Sequence, residues 1–296
     1  MQLLETLGQK LNDQLIIDST LAGGCINQVY KVKGKQSSKA YVLKLNDDLK
    51  QEDSTKFFLA EKQGLETLSS HCSQYNIKIR IPKVLSQGEN YILLEFIESG
   101  PVNDIYEGAF ARELYKMHSQ KFLSEQVFQD NYLGRTQQIN PSIGKSNWSD
   151  YFWENRILYI LSNIGDSSLK HEFLEAGDSL KPFIEKFEPH IGLIHGDMWS
   201  GNVFFDQDGV AVLIDPAVSM GDGRADIAMS KLFGRRTGAF YEECNTQTIW
   251  KKFPLEELHL LDEVYNLYHI LNHALLFGGS YAEQAKTSLN HVLRKI

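Results

Sequence analysis

Apolar residues alternate with polar ones at a spacing of two in the first third of the chain and recur at helical spacing through most of the remainder. Strand-like runs fall at residues 14–21, 28–33 (turning at Gly34-Lys35), 40–45 and 91–97. One helix interrupts them at about 54–69, with Phe58, Leu65 and Leu68 on its apolar stripe. After Glu98-Ser99-Gly100-Pro101 the pattern turns helical, at 106–118, 148–162, 168–187, 226–233, around Phe240, and at 255–277. The Gly100-Pro101 step therefore predicts a boundary between a strand-rich N-terminal lobe, 1–98, and a larger helical lobe, 99–296. Residues 135–147 read as a polar loop on the second lobe, and neither an internal repeat nor a low-complexity tract is present.

A second strand signal lies inside the helical half. Between Asn202 and Asp215 an apolar run (203–205), the polar segment Asp206-Gln207-Asp208-Gly209 and a second apolar run (210–214) predict a β-hairpin. Folding it brings Asn202 and Asp215 to one end, where the preceding loop can hold Asp197 beside them. An aspartate, an asparagine five positions on and an aspartate closing the hairpin is the arrangement kinases use to orient a hydroxyl and hold Mg²⁺ on ATP.

Composition narrows the classes. With 296 residues and 42% hydrophobic content the chain can bury a large core. A net charge of −8 and a pI near 5.6 oppose a nucleic-acid-binding surface, which carries a basic footprint. Cys25, Cys72 and Cys244 stand far apart, so neither a disulfide framework nor a zinc knuckle is expected. The first 14 residues lack the basic and apolar regions of a signal peptide, and no segment reaches the ~18 apolar residues of a membrane span. A cytoplasmic protein, monomeric or homodimeric and without membrane or nucleic-acid partners, is expected.

Further polar positions fit the same chemistry. Glu61 lies on the helical face of Phe58, Leu65 and Leu68, and a buried carboxylate needs a partner. Lys44, flanked by apolar residues in its strand, is the candidate, as the lysine that holds the α- and β-phosphates. The alternative is an edge-strand lysine reaching water and a glutamate on the helix shoulder. Gly23-Gly24-Cys25-Ile26-Asn27 links two strands and reads either as a phosphate-covering loop or as a plain hairpin turn. Glu95-Phe96-Ile97 reads as a hinge offering backbone groups to an adenine edge, or as a buried strand. Gly144-Lys145-Ser146 is no Walker loop, because Ile139 stands where its first glycine is required. His195 reads as a histidine packed or hydrogen-bonded under the Asp197 loop, the alternative being a metal ligand or general base, Asp226 as a helix N-cap and Asp222 as a turn residue.

Together these residues resemble the fructosamine kinase family, in the aminoglycoside-phosphotransferase-like branch of the protein-kinase-like fold. The likeness is carried by His195-Gly196-Asp197-Met198-Trp199-Ser200-Gly201-Asn202, Ile214-Asp215-Pro216-Ala217, Gly221-Asp222, Asp226-Ile227-Ala228-Met229 and Leu232-Phe233-Gly234. It extends to Gly23-Gly24-Cys25-Ile26, Lys44, Phe58 with Glu61, Leu94-Glu95-Phe96, Asn131-Tyr132-Leu133-Gly134, Gln138, Asn140, Trp148, Phe152 and Arg156. The resemblance implies an α+β, bilobal fold, with a small antiparallel N-lobe sheet and one main helix, and a mostly helical C-lobe. It also implies ATP- and Mg²⁺-dependent phosphorylation of a sugar hydroxyl on a ketosamine, after which the unstable adduct leaves its protein lysine or free amine. Carried over, Asp197 orients the hydroxyl, Asn202 and Asp215 hold Mg²⁺, and Lys44 with Glu61 holds the phosphates. Trp199 packs on the sugar adduct, and Cys25 matches a phosphate-loop cysteine linked to redox sensitivity in part of the family, the alternative being a small turn residue. Gly223-Arg224 departs from the arginine and glutamate common in the family, so no role transfers there. Competing readings are a kinase for an aminoglycoside or amino alcohol, and a nucleotide-binding module without catalysis.

Overall fold

Two helices cover opposite faces of an antiparallel sheet in the first hundred residues, and side-chain alternation along the strands decides what each helix meets. The computed structural model describes residues 2–21, 27–46, 51–120, 128–141, 147–234 and 236–296, with the side chains of 51–53 outside that description. Helix α1 (Gln2–Leu11) is followed by strands β1 (Leu15–Thr20), β2 (Gln28–Gly34) and β3 (Ala40–Leu45), helix α2 (Gln51–Gln74), and strands β4 (Ile79–Arg80), β5 (Val84–Gln87) and β6 (Tyr91–Glu95). The sheet runs β1-β2-β3-β6-β5, all antiparallel.

Tyr41, Leu43, Tyr91 and Leu93 point to one face, where they form a small core with Leu7 of α1, Leu15 and Val32. Ile92 and Leu94 point to the other and join Phe58, Leu65 and Leu68 of α2. Lys44 pairs in register with Ile92, so alternation turns it towards α2. The α1 helix was not among the sequence expectations, and α2 is longer than the expected 54–69 because polar turns continue it at both ends.

The helical part begins with α3 (Asp104–Ser119), capped by the Asn103 side chain on Tyr106 N. A hairpin of β7 (Asn131–Leu133) and β8 (Thr136–Gln138) follows. Residues 135–147 are thus not merely a polar surface loop: Gln138 and Asn140 are buried. The expected helix 148–162 is α4 (Trp148–Phe152), a π-helical segment (Trp153–Leu158) and α5 (Tyr159–Asn163) in succession. Then come α6 (Ser167–Glu185), β9 (Ile191–Ile194), a 3₁₀ turn (Ser200–Asn202), β10 (Val203–Phe205), β11 (Ala211–Leu213), β12 (Ser219–Asp222), α7 (Arg224–Met229), α8 (Gly238–Thr246), α9 (Leu255–Phe277) and α10 (Ser280–Leu293).

The predicted hairpin forms with Val203 opposite Leu213, and β12 pairs with β9. Strand β4, from the N-terminal third, adds in parallel to β11. One large core runs from α2 through α9 and α10. Among the described residues no helix is long and apolar enough to cross a membrane.

Candidate active site

Closure of the β10–β11 hairpin does what the sequence pattern requires. The Ile214 N–H donates to Asn202 O at 3.1 Å, which fixes Asn202 and Asp215 at one end of the hairpin. Asn202 Nδ2 donates to both the main-chain oxygen and Oδ2 of Asp197, each at 2.9 Å. Its amide nitrogen is therefore committed, and Oδ1 is the atom it can offer elsewhere. Asp215 sits at φ 54°, a left-handed conformation that costs a non-glycine residue about 1–3 kcal/mol and persists only when its flanks are fixed.

Lys44 joins this hairpin to the N-terminal sheet. Its Nζ donates to Glu61 Oε1 at 2.7 Å and to Asp215 Oδ1. Both Lys44 and Glu61 are buried, so the edge-strand alternative falls away: β3 is internal to its sheet, and α2 lays Glu61 over the ammonium. A buried lysine is tolerable only with such partners.

The Asp197 loop is held from beneath. His195 is fully buried, with Nδ1 accepting from Asp197 N at 3.2 Å and Nε2 donating to Ile214 O at 3.0 Å. Burial holds its pKa below the ordinary histidine value, so it is a neutral, structural residue, as the sequence suggested. Asp226 is not an N-cap; it is the third residue of α7, and its carboxylate accepts from His195 N (2.8 Å), Gly196 N (2.9 Å) and His118 Nε2 (2.9 Å). Burial alone would raise the Asp226 pKa, but the hydrogen bond and charge of His118 carry it below the usual carboxylate range. For Asp197 burial outweighs the Asn202 hydrogen bond and lifts the carboxyl to about 7. A carboxyl poised there can orient or accept a proton from a hydroxyl near neutral pH.

The Trp199-Ser200-Gly201 insert has a local physical reason. A Cβ at Gly201 would stand 2.2 Å from the Trp199 ring, so the indole folds back over this glycine. Ser200 Oγ donates to Phe233 O at 2.8 Å and ties the loop to the residues after α7.

The fructosamine kinase family model matches residues 2–295. The chain belongs to the fructosamine kinase family. A Synechocystis protein named as a ketoamine kinase is 34% identical, over 99% of this chain and 95% of its own length. A solved Thermobifida fusca structure, described as a fructosamine-3-kinase, superposes with a TM-score of 0.78 at 22% identity, covering 98% of each chain. The gentamicin complex of APH(2″)-IIa superposes at 0.65 with 14% identity, over 100% of this chain and 96% of the other. The fold is the bilobal, α+β kinase-like fold.

At Gly223-Arg224 this fructosamine kinase family member carries a buried clamp. A Cβ on Gly223 would lie 2.4 Å from His118 Nδ1, so no side chain fits there without moving the buried ring. Arg224 is fully buried, donating through Nε and Nη2 to Asp262 at 2.5 and 2.8 Å and through Nη1 to Asn245 at 2.9 Å. Asp222 is likewise no mere turn residue; it is buried at the end of β12, accepting from Tyr265 OH at 2.7 Å and from Arg224 N at 3.1 Å. Lone acidic residues beside glycines gave no sign of burial, because the partners come from α9.

At the expected hinge, the Glu95 side chain is engaged by Arg80 Nη2 at 2.7 Å, and its N–H donates to Lys83 O. Arg80 also reaches Asp206 at the hairpin tip. Ile97 is buried. Gly23, Gly24 and Cys25 lie outside the described residues. Sequence reasoning missed His118; the available signal was a histidine on the buried face of an apolar helix.

Proposed function

We propose that this protein transfers the γ-phosphoryl group of ATP to a sugar hydroxyl of a ketosamine, in a Mg²⁺-dependent reaction that leads to release of the amine. The observation that carries the reading is the pair of side-chain sets Glu61–Lys44–Asp215 and Asn202–Asp197, joined through the Ile214 N–H to Asn202 O, which brings an ammonium, the Asp215 carboxylate, the Asn202 amide oxygen and a near-neutral carboxyl to one end of the hairpin.

Lys44, pre-oriented by Glu61, binds the α- and β-phosphates. Asp197 orients the acceptor hydroxyl and takes its proton as the phosphoryl group moves. The Asn202 Oδ1 and Asp215 carboxylate oxygens are hard donors of the kind Mg²⁺ accepts alongside phosphate oxygens, so they fit the ion. Mg²⁺, when bound, neutralises charge on the transferring phosphate. Glu95 and Ile97 bracket the adenine at the hinge through backbone groups of 96–97, while Gly23 and Gly24 cover the phosphates. Trp199, beside Asp197, packs on the sugar adduct. Residues 1–98 form the nucleotide lobe and 99–296 the catalytic and substrate lobe.

The test is ATP turnover with fructosyl-lysine, ribulosyl-lysine and erythrulosyl-lysine beside an aminoglycoside panel. Phosphate transfer to at least one ketosamine with clear preference over every aminoglycoside is expected. Preference for an aminoglycoside, or Mg·ATP binding without transfer to any acceptor, would overturn the reading.

A further inference from the structure

The inward side chains of the Asn131-Tyr132-Leu133-Gly134 and Gln138 stretches converge on the residues that follow Asp215. Register pairs Asn131 directly opposite Gln138 across the β7–β8 hairpin, so both side chains leave the same face. Asn131 Nδ2 donates to Val218 O at 2.7 Å. Gln138 Nε2 donates to Asn131 Oδ1 at 2.8 Å and to Ala217 O at 3.1 Å, while Gln138 Oε1 accepts from Tyr268 OH at 2.9 Å. Both amides are buried.

The segment they grip is fixed on its other sides as well. Ala217 N donates to His195 O at 2.9 Å. A Cβ on Gly64 of α2 would lie 2.9 Å from Pro216 Cγ, so the helix that carries Glu61 packs directly on Pro216. The base of the hairpin is anchored in turn: Arg156, from the π-helical segment, donates to Ile139 O at 2.6 Å and to Asn140 Oδ1 at 2.8 Å.

We propose that Asn131 and Gln138 form an amide clip that positions the Asp215 carboxylate for its cation through the 216–218 backbone. They are positioning residues and touch neither phosphate nor metal. The reason is conformational: Asp215 holds a left-handed backbone that relaxes unless the residues on both sides are fixed. Ile214 is fixed by Asn202 on one side, and the carbonyls of Ala217 and Val218 are fixed by the clip on the other. The proposal rests on the reading of Asp215 as a metal ligand.

The test is Mn²⁺ binding to the full-length protein with a non-hydrolysable ATP analogue, read from the electron paramagnetic resonance signal of free Mn²⁺. Gln138→Glu keeps shape and the acceptor for Tyr268 but sets an oxygen against Ala217 O and Asn131 Oδ1. Mn²⁺ affinity should fall about tenfold, the scale on which outer-shell partners tune a metal. Tyr268→Phe, which leaves both donors of Gln138 in place, should stay within about twofold of wild type, below that outer-shell scale. Asn131→Ser, should Gln138→Glu fail to fold, removes the donor to Val218 and carries the same expectation. Unchanged Mn²⁺ affinity in whichever of these two variants folds, with Asp215→Asn abolishing it, overturns the clip alone. Unchanged affinity in Asp215→Asn overturns the metal reading and the clip with it.

Discussion

The Asp226 carboxylate holds the main-chain N–H of His195 at 2.8 Å, so a helix that follows Asp215 in sequence sets the height of the loop that precedes it. The same carboxylate takes Gly196 N and His118 Nε2. Asp226→Asn replaces one acceptor by a donor facing N–H groups. Breaking such a buried pair costs roughly 3–5 kcal/mol. Urea unfolding at pH 7 should show a loss on that scale, together with lower turnover per folded molecule. Because the Asp226 pKa is depressed, its contribution is present above the ordinary carboxylate range and is lost as pH falls through the folded value.

Asp197 has the opposite sign. Its carboxyl rises from 3.8 to about 7, so between those values the folded state holds the extra proton and stability falls as pH rises. Asp197→Asn removes that cost and should be more stable than wild type at pH 8 by about 1 kcal/mol, after allowing for solvent screening of a half-buried group. The difference should vanish near pH 4. For the wild type, kcat/KM for ATP should climb through a midpoint near pH 7, whereas turnover of Asp197→Asn should drop by orders of magnitude.

Glu61→Gln retains the size of the side chain and removes the charge that holds Lys44 between α2 and the hairpin. A hydrogen bond to a charged group contributes ~1.5–3 kcal/mol, so KM for ATP should rise about 10- to 100-fold. Fluorescence titration with a nucleotide analogue would check this, and unaltered affinity would remove Glu61 from the phosphate site.

Arg224 and Asp262 should matter for folding and little for chemistry. Asp262→Ala leaves a fully buried guanidinium with Asn245 and the carbonyl of Leu258, and should destabilise by roughly 3–5 kcal/mol. Arg224→Glu should be worse because it faces Asp262 with a like charge. Thermal unfolding would register both, while KM for ATP in the folded fraction at low temperature should stay near wild type.

Local sequence was enough for the parts whose physics is local. The period-two runs located β1, β2, β3 and β6, and the Asp206–Gly209 turn between apolar runs located the hairpin that joins Asn202 to Asp215. The inward face of α2 required a partner for Glu61, and an apolar strand supplied Lys44. Sequence alone therefore determined the kinase-like plan and the polar set that α2, β3 and the hairpin bring together. It could not determine what supports that set. Asp222 meets Tyr265, Asp226 meets His118, Arg224 meets Asp262, and Gln138 meets Ala217, each across 38 to 108 residues of chain. An isolated aspartate or glutamine carries the same local signal whether it is solvated or buried. Only the packing of α3, the β7–β8 hairpin and α9 around the loop removes water from these groups, and once water is gone each must find its hydrogen bonds within the protein.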